Sequence, residues 1–174
     1  MRKKGFMLLI DVIISALLLG IDQITKFLAI KYLKDAPAFV LLDGVLELSY
    51  LENRGSAFGM LQNQKFFILF VGFVFLAVIL FFLIKLPDDK KFNVVHVCLA
   101  AIIAGGIGNM IDRFRFDYVV DFISFVLIHF PVFNFADCCI VVSVMILFIM
   151  FLFVYKEKDL EFLSFKQNKY REVK

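Results

Sequence analysis

Residues 66–84, 94–111 and 138–155 contain no Asp, Glu, Lys or Arg over 19, 18 and 18 positions respectively. Runs of that length approach the roughly 20 apolar residues that cross about 30 Å of hydrocarbon. Their apolar residues favour no face, as expected of helices surrounded by lipid. A fourth run, residues 6–21, follows the basic start MRKKG. A secretory signal peptide begins in the same way. This run, however, holds Asp11 and leads into DQITK where a small-residue cleavage site would stand, and three more apolar segments follow. It is therefore expected to remain as a first membrane helix over about residues 6–28. Composition agrees, with 62% of the 174 residues hydrophobic and 24 of them Phe. A soluble domain of this size cannot enclose so much apolar surface. Trp is absent, which leaves Tyr as the aromatic with a polar handle for the interface.

The expected fold is an α-helical integral membrane protein. Residues 1–174 form a single polytopic domain with transmembrane helices at about 6–28, 66–84, 94–111 and 138–155. Basic residues orient it: 12 of the 19 Lys and Arg fall in the N-terminal tail, the link 85–93 and the tail from Lys156. Both termini are then expected in the cytoplasm. Asp22, Asn53, Asn109, Asp112, Asp121 and Asp137 accordingly come to the outer face. The first outer segment, residues 23–65, is too long for a plain connector. FLAIKYLK at 27–34 has the amphipathic pattern of a short interfacial helix. FVLLDGVLELSY carries an Asp43-Gly44 turn between apolar runs, after which Leu46, Leu48 and Tyr50 alternate with Glu47 and Ser49. That pattern predicts a small extracytoplasmic β-sheet within about residues 36–62. The tail from Lys156 reads as a solvated or surface-lying end without chemistry.

Between the last two apolar runs, residues 105–137 carry four aspartates, two asparagines and two arginines. Ionisable groups at membrane depth cost roughly 2.5–3.5 kcal/mol each even on insertion scales, so they are functional candidates, although any one of them can simply cap a helix. The glycines of GGIG, with Ala101 and Ala104 one turn before Gly105 and Gly108, suit close helix packing in lipid. They do not suit phosphate binding, because no strand precedes them. Asn109, Asp112 and Arg113 share one helical face by i, i+3 and i, i+4 spacing. Cys98, Cys138 and Cys139 lie in apolar runs without ligand spacing, and only two histidines accompany them. No metal and no cofactor is implied. The net charge of +3 is small and scattered, which argues against nucleic acid.

No Ser/Lys or Ser/His pair is suitably placed for nucleophilic chemistry, and Cys138 and Cys139 lack the electropositive setting a reactive thiol needs. Carboxylates remain. Asp22 has Lys26 one turn on, Asp112 has Arg113 beside it and Asp117 has Arg115 nearby, as permanently charged pairs would. Asp121 and Asp137 have no basic residue within five positions. Their apolar setting would raise a carboxyl pKa, and two such groups in contact would share one proton, as an aspartic hydrolase requires. Spacing alone does not bring them together.

DQITK (22–26), NRGSAFG (53–59), GGIGNMIDR (105–113), VVDF (119–122) and FNFAD (133–137), in that order, resemble the bacterial lipoprotein signal peptidase family, type II. The resemblance spans residues 22–137. It implies an intramembrane aspartyl endopeptidase of the bacterial plasma membrane that cleaves diacylglyceryl-modified prolipoproteins just before the lipidated cysteine. It assigns catalysis to Asp121 and Asp137. It places Asn53, Asn109, Arg113 and Asn134 around the site, with Asp22 and Lys26 at the outer end of the first helix and Asp112 as a structural ion-pair partner. Arg54 and the segment from Gly55 to Gly59 would serve as a lid hinged on glycine. The partners implied are the prolipoprotein substrate and membrane lipid, with the enzyme acting as a monomer. Asp11 lies outside every motif. The alternative is a small proton-coupled transporter, but no inverted repeat is visible and the polar groups gather at one face.

Overall fold

A computed structural model describes residues 4–55 and 64–163. In chain order it forms α1 (Lys4–Leu33), β1 (Phe39–Leu42), β2 (Leu46–Asn53), α2 (Lys65–Lys85), α3 (Asn93–Phe116), β3 (Val119–Phe125) and α4 (Phe135–Phe153). Short 3-10 turns stand at Lys90–Phe92 and Glu157–Leu163. Among the described residues, four helices are long and apolar enough to cross a membrane. The amphipathic stretch expected along the interface continues α1 without a break and forms its last turns.

α3 is the central helix. It packs against each of the other three, and three of its glycines each admit a different neighbour. A Cβ on Gly105 would meet the Ala136 carbonyl oxygen of α4 at 2.5 Å, one on Gly106 would meet Leu76 of α2 at 2.8 Å, and one on Gly108 would meet the Asp22 carboxylate of α1 at 2.3 Å. The small-residue pattern thus brings all three partners close to one backbone, where dispersion and hydrogen bonding hold helices together in lipid. The outward faces carry apolar side chains such as Val12, Leu17, Phe66, Phe70, Val141 and Phe148.

α1 and α3 finish at the same end of the bundle, and a three-stranded antiparallel sheet of order β1-β2-β3 sits there. The hairpin joining β1 to β2 turns through Gly44 at φ 65°, as the Asp43-Gly44 signal predicts. The expected alternation along β2 is not clean: its residues are half-buried on both faces apart from exposed Leu51. A register shift between Leu48 and Leu51 breaks the period. The third strand, β3, was not anticipated, although VVDFISF is rich in β-branched and aromatic residues. It is reached by a sharp C-cap at Asp117, whose φ of 68° ends α3 in the left-handed region. Val120 and Phe122 of β3 pack on Ala29 of α1 and fix the sheet to the bundle.

At the opposite end, Leu83, Leu86, Phe92, Val95, Leu99, Ile102 and Tyr155 form a second apolar cluster. The start of the charged tail docks there, with Phe162 edge-on to Phe92 and Lys91 Nζ paired to Asp159 at 2.5 Å. Of the two expectations for the tail, solvated or surface-lying, its first residues follow the second. Residues 56–59 of the expected lid lie outside the described residues.

Candidate active site

Asp137 and Asn134 are placed by the start of α4. Asn134 is its N-cap and takes part in a capping box: its Oδ1 accepts from the Asp137 N–H at 3.0 Å, while Asp137 Oδ2 accepts from the Asn134 N–H at 3.2 Å. The chain before it folds back along β3, with Phe133 exchanging backbone hydrogen bonds with Ile123 at 2.8 and 3.0 Å. This return brings the cap beside the strand that carries Asp121. Asn134 Nδ2 then donates to Asp121 Oδ1 at 2.6 Å. One asparagine therefore links the two aspartates, 16 positions apart in sequence.

Two further asparagines complete the inner ring. Asn53, at the end of β2, donates Nδ2 to Asp121 Oδ2 at 2.9 Å and accepts the Gly55 N–H at 3.0 Å. Asn109 donates Nδ2 to Asp137 Oδ1 at 2.8 Å. Its oxygen accepts from Lys26 Nζ at 2.9 Å and from Asn134 Nδ2 at 3.2 Å, which sets the orientation of the amide. Asp121 is 1% exposed, whereas Asp137 is half-buried and can be approached. Burial first, and then the nearby charge of Asp137, pushes the Asp121 carboxyl up to about 6 against the opposing hydrogen bonds from Asn53 and Asn134.

Around this ring lies a layer of buried charge. Lys26 Nζ pairs with Asp22 at 3.1 Å and with Asp112 at 3.0 Å. Asp22 Oδ1 also accepts the Ala136 N–H at 3.0 Å, in the first turn of α4. Asp112 Oδ2 accepts the Val120 N–H at 3.1 Å, immediately before Asp121. These two carboxylates hold the elements that carry Asp137 and Asp121. The partner expected for Asp112, Arg113, is corrected to Lys26, and that of Asp117 is corrected from Arg115 to Lys65. Arg113 instead donates to the Gly55 carbonyl at 2.8 Å and to the Asn109 carbonyl at 3.2 Å, so that it straps residues 53–55 over the ring.

Arg54 is the expected site residue that stays apart. It pairs with Glu52 at 3.0 Å and lies over the Tyr118 ring, and it is exposed. Gln23 was missed. Its Nε2 donates to Asp22 at 3.1 Å and to Asp112 at 3.3 Å, yet nothing in the local sequence DQITK distinguishes it from a surface glutamine. Among the described residues, no group of three or more His, Cys, Asp or Glu is arranged to hold a metal ion.

Fold and site define a class: a four-helix membrane protein with carboxylates gathered beneath a small sheet at one end of the bundle. Comparison with known proteins narrows it. Residues 14–153 match the family model described as signal peptidase (SPase) II. The chain is 44% identical over 143 residues to the lipoprotein signal peptidase of Caldanaerobacter subterraneus subsp. tengcongensis, covering 82% of this chain and 95% of that one. It is 39% identical over 135 residues to that of Brevibacillus brevis, covering 78% and 89%. A bacterial membrane enzyme solved by the in meso method at 2.3 Å superposes with a TM-score of 0.74 at 27% identity, over 91% of this chain and 94% of that one. The chain belongs to the signal peptidase II family. It is a multi-pass bacterial membrane protein and an intramembrane peptidase of the aspartic type, and the transporter alternative falls.

Proposed function

We propose that the chain removes signal peptides from diacylglyceryl-modified prolipoproteins, cleaving on the N-terminal side of the lipidated cysteine, with Asp121 and Asp137 as the catalytic pair. The observation that carries this reading is the Asn134 bridge, which ties the two carboxylates together at the mouth of the bundle. Asp121, buried and raised, is the member biased to hold the shared proton. Ionised Asp137 takes a proton from water as the water oxygen attacks the scissile carbonyl carbon, and Asp121 gives its proton to the carbonyl oxygen. The tetrahedral diol then collapses: a proton passes to the leaving nitrogen, the C–N bond breaks and the new carboxyl group forms. Asn53, Asn109 and Asn134 hold the carboxylates, Arg113 holds residues 53–55, and Asp22, Lys26 and Asp112 fix the elements beneath. Arg54 is a rim residue.

The basic-residue distribution supports cytoplasmic termini and an extracytoplasmic site. The exposed apolar faces of α1, α2 and α4 support direct contact with lipid, including the acyl chains of the substrate, by a monomer. Cleavage of a diacylglyceryl-modified prolipoprotein in detergent tests the assignment. Folded Asp121→Asn and Asp137→Asn should each lose on the order of a thousandfold or more in kcat. Near-wild-type turnover by either one defeats the aspartyl pair.

A further inference from the structure

Asp11 and His96 lie far from this site and supply none of its hydrogen bonds, yet they are 1% and 3% exposed and His96 Nδ1 stands 2.8 Å from Asp11 Oδ2. They join α1 to α3 at the end of the bundle remote from the sheet. Asp11 Oδ1 and His96 Nε2 are buried without a hydrogen-bond partner. A buried polar pair is costly, and orphaned atoms add to the cost, so stability does not account for it.

Its spacing does. Asp11 and His96 are 85 residues apart. The same 85 separates Ser15 from Ala100, whose carbonyl accepts Ser15 Oγ at 2.9 Å, and Gln23 from Gly108, whose carbonyl accepts Gln23 Nε2 at 3.5 Å. α1 and α3 both run toward the sheet, so a constant offset means a single axial register along their contact. At the sheet end this register places Lys26 against Asn109 and Asp112 of α3, and sets Asp22 on the N–H of Ala136, the residue before Asp137. Much of α1 faces outward, with Val12, Leu17 and Ile24 exposed. Lipid solvates such a helix as well as another helix does, so apolar contact alone does not choose among registers. A slip of one turn, about 5.4 Å, would carry Asp22 away from α4.

We infer that Asp11 and His96 form a positioning clasp that fixes the register of α1 on α3 and so holds Lys26 and Asp22 in place, about 22 Å and about 16 Å farther along the same helix. The inference rests on the site assignment above. Asp137→Asn in the same assay separates the two: full turnover by that variant defeats the assignment, whereas the variants below address the clasp.

The test measures kcat, KM and thermal midpoint for the full-length protein in detergent with a diacylglyceryl-modified prolipoprotein. The double variant Asp11→Leu/His96→Leu removes the clasp together with both orphaned atoms. It is expected to stay folded, because both members of the buried pair are replaced together by apolar groups, while kcat falls at least tenfold and KM stays within twofold. Asp11→Asn keeps a hydrogen bond to His96 without the charge and should retain kcat within threefold. A folded double-leucine variant with wild-type kcat overturns the clasp. So does one that fails to fold, because a pair that only sets register is dispensable for stability. A tenfold loss in Asp11→Asn would likewise reject register in favour of a role for the charge.

Discussion

Lys26 Nζ stands 2.9 Å from Asn109 Oδ1, and the same amide turns its nitrogen to Asp137 at 2.8 Å. A single asparagine thus passes the position of a buried cation to a carboxylate it does not touch. Lys26 also neutralises Asp22 and Asp112, both 1% exposed. Lys26→Met leaves two uncompensated buried carboxylates and should destabilise by about 3–5 kcal/mol. Thermal unfolding in detergent measures the loss. Adding Asp112→Asn to Lys26→Met should recover part of it, because one of the stranded charges is then gone.

Gly105 of α3 and Gly72 of α2 predict contrasting costs for an added methyl group. A Cβ on Gly105 would lie 2.5 Å from the Ala136 carbonyl, a backbone atom that can yield only by shifting the first turn of α4 and Asp137 with it. Gly105→Ala should therefore cost about 1–3 kcal/mol through overpacking, together with most of the turnover. Gly72 faces the flexible end of Met110 at 3.4 Å. Gly72→Ala should stay within about 0.5 kcal/mol of wild type. Equal effects from the two substitutions would mean that close approach is not what Gly105 provides.

Asp112→Asn distinguishes a supporting residue from a catalytic one. Asp112 holds the Val120 N–H at 3.1 Å and Lys26 at 3.0 Å, and among the described residues no hydrogen bond joins it to Asp137. The amide oxygen can still accept from Val120, so the variant should keep measurable kcat while its thermal midpoint falls. Inactivity as complete as that of Asp137→Asn, in a folded protein, would place Asp112 among the catalytic groups.

Much of this was legible in the sequence for a simple reason. Runs such as residues 66–84 exclude charge because lipid does, and Asp121 and Asp137 stood out because their neighbours are apolar. The pairing of Asp22 with Lys26 one turn on was legible too, but that of charges brought together from different elements was not. Asp112 sits beside Arg113 in sequence but pairs with Lys26, Asp117 pairs with Lys65, and Asp11 meets His96. Such pairs depend on the register between helices, which local spacing does not carry. β3 escaped notice because VVDFISF does not alternate: Val119, Val120, Asp121 and Phe122 are all buried, so the period of two that marks a half-buried strand is absent.

The pH dependence of stability provides a test of the Asp121 environment. Its carboxyl is raised from 3.8 to about 6 by burial and then by Asp137. The folded protein therefore binds this proton more tightly than the unfolded chain does. The associated stability is fully present below pH 3.8 and is lost as pH rises through about 6. The full swing corresponds to about 3 kcal/mol. Asp121→Asn cannot titrate, so its thermal midpoint should gain on that of the wild type between pH 4 and pH 7. Parallel midpoint curves for the two proteins would mean that Asp121 is not raised.

Asn53 supplies the opposing influence and a kinetic prediction. Its amide donates to Asp121 Oδ2 at 2.9 Å and favours the ionised form. Asn53→Ala removes that donor, so the Asp121 carboxyl should rise further above about 6. In the proposed mechanism catalysis needs one proton on the pair, and the basic limb of the kcat profile reports its loss as an apparent value belonging to both carboxylates. That limb should move to higher pH in Asn53→Ala, while kcat at its optimum falls roughly tenfold because a positioning contact on Asp121 is gone. A profile recorded across the basic limb with a diacylglyceryl-modified prolipoprotein separates the two effects. A lower plateau with an unmoved limb would leave Asn53 as a positioning residue alone, and a limb moved to lower pH would reverse the sign of its influence on the pair.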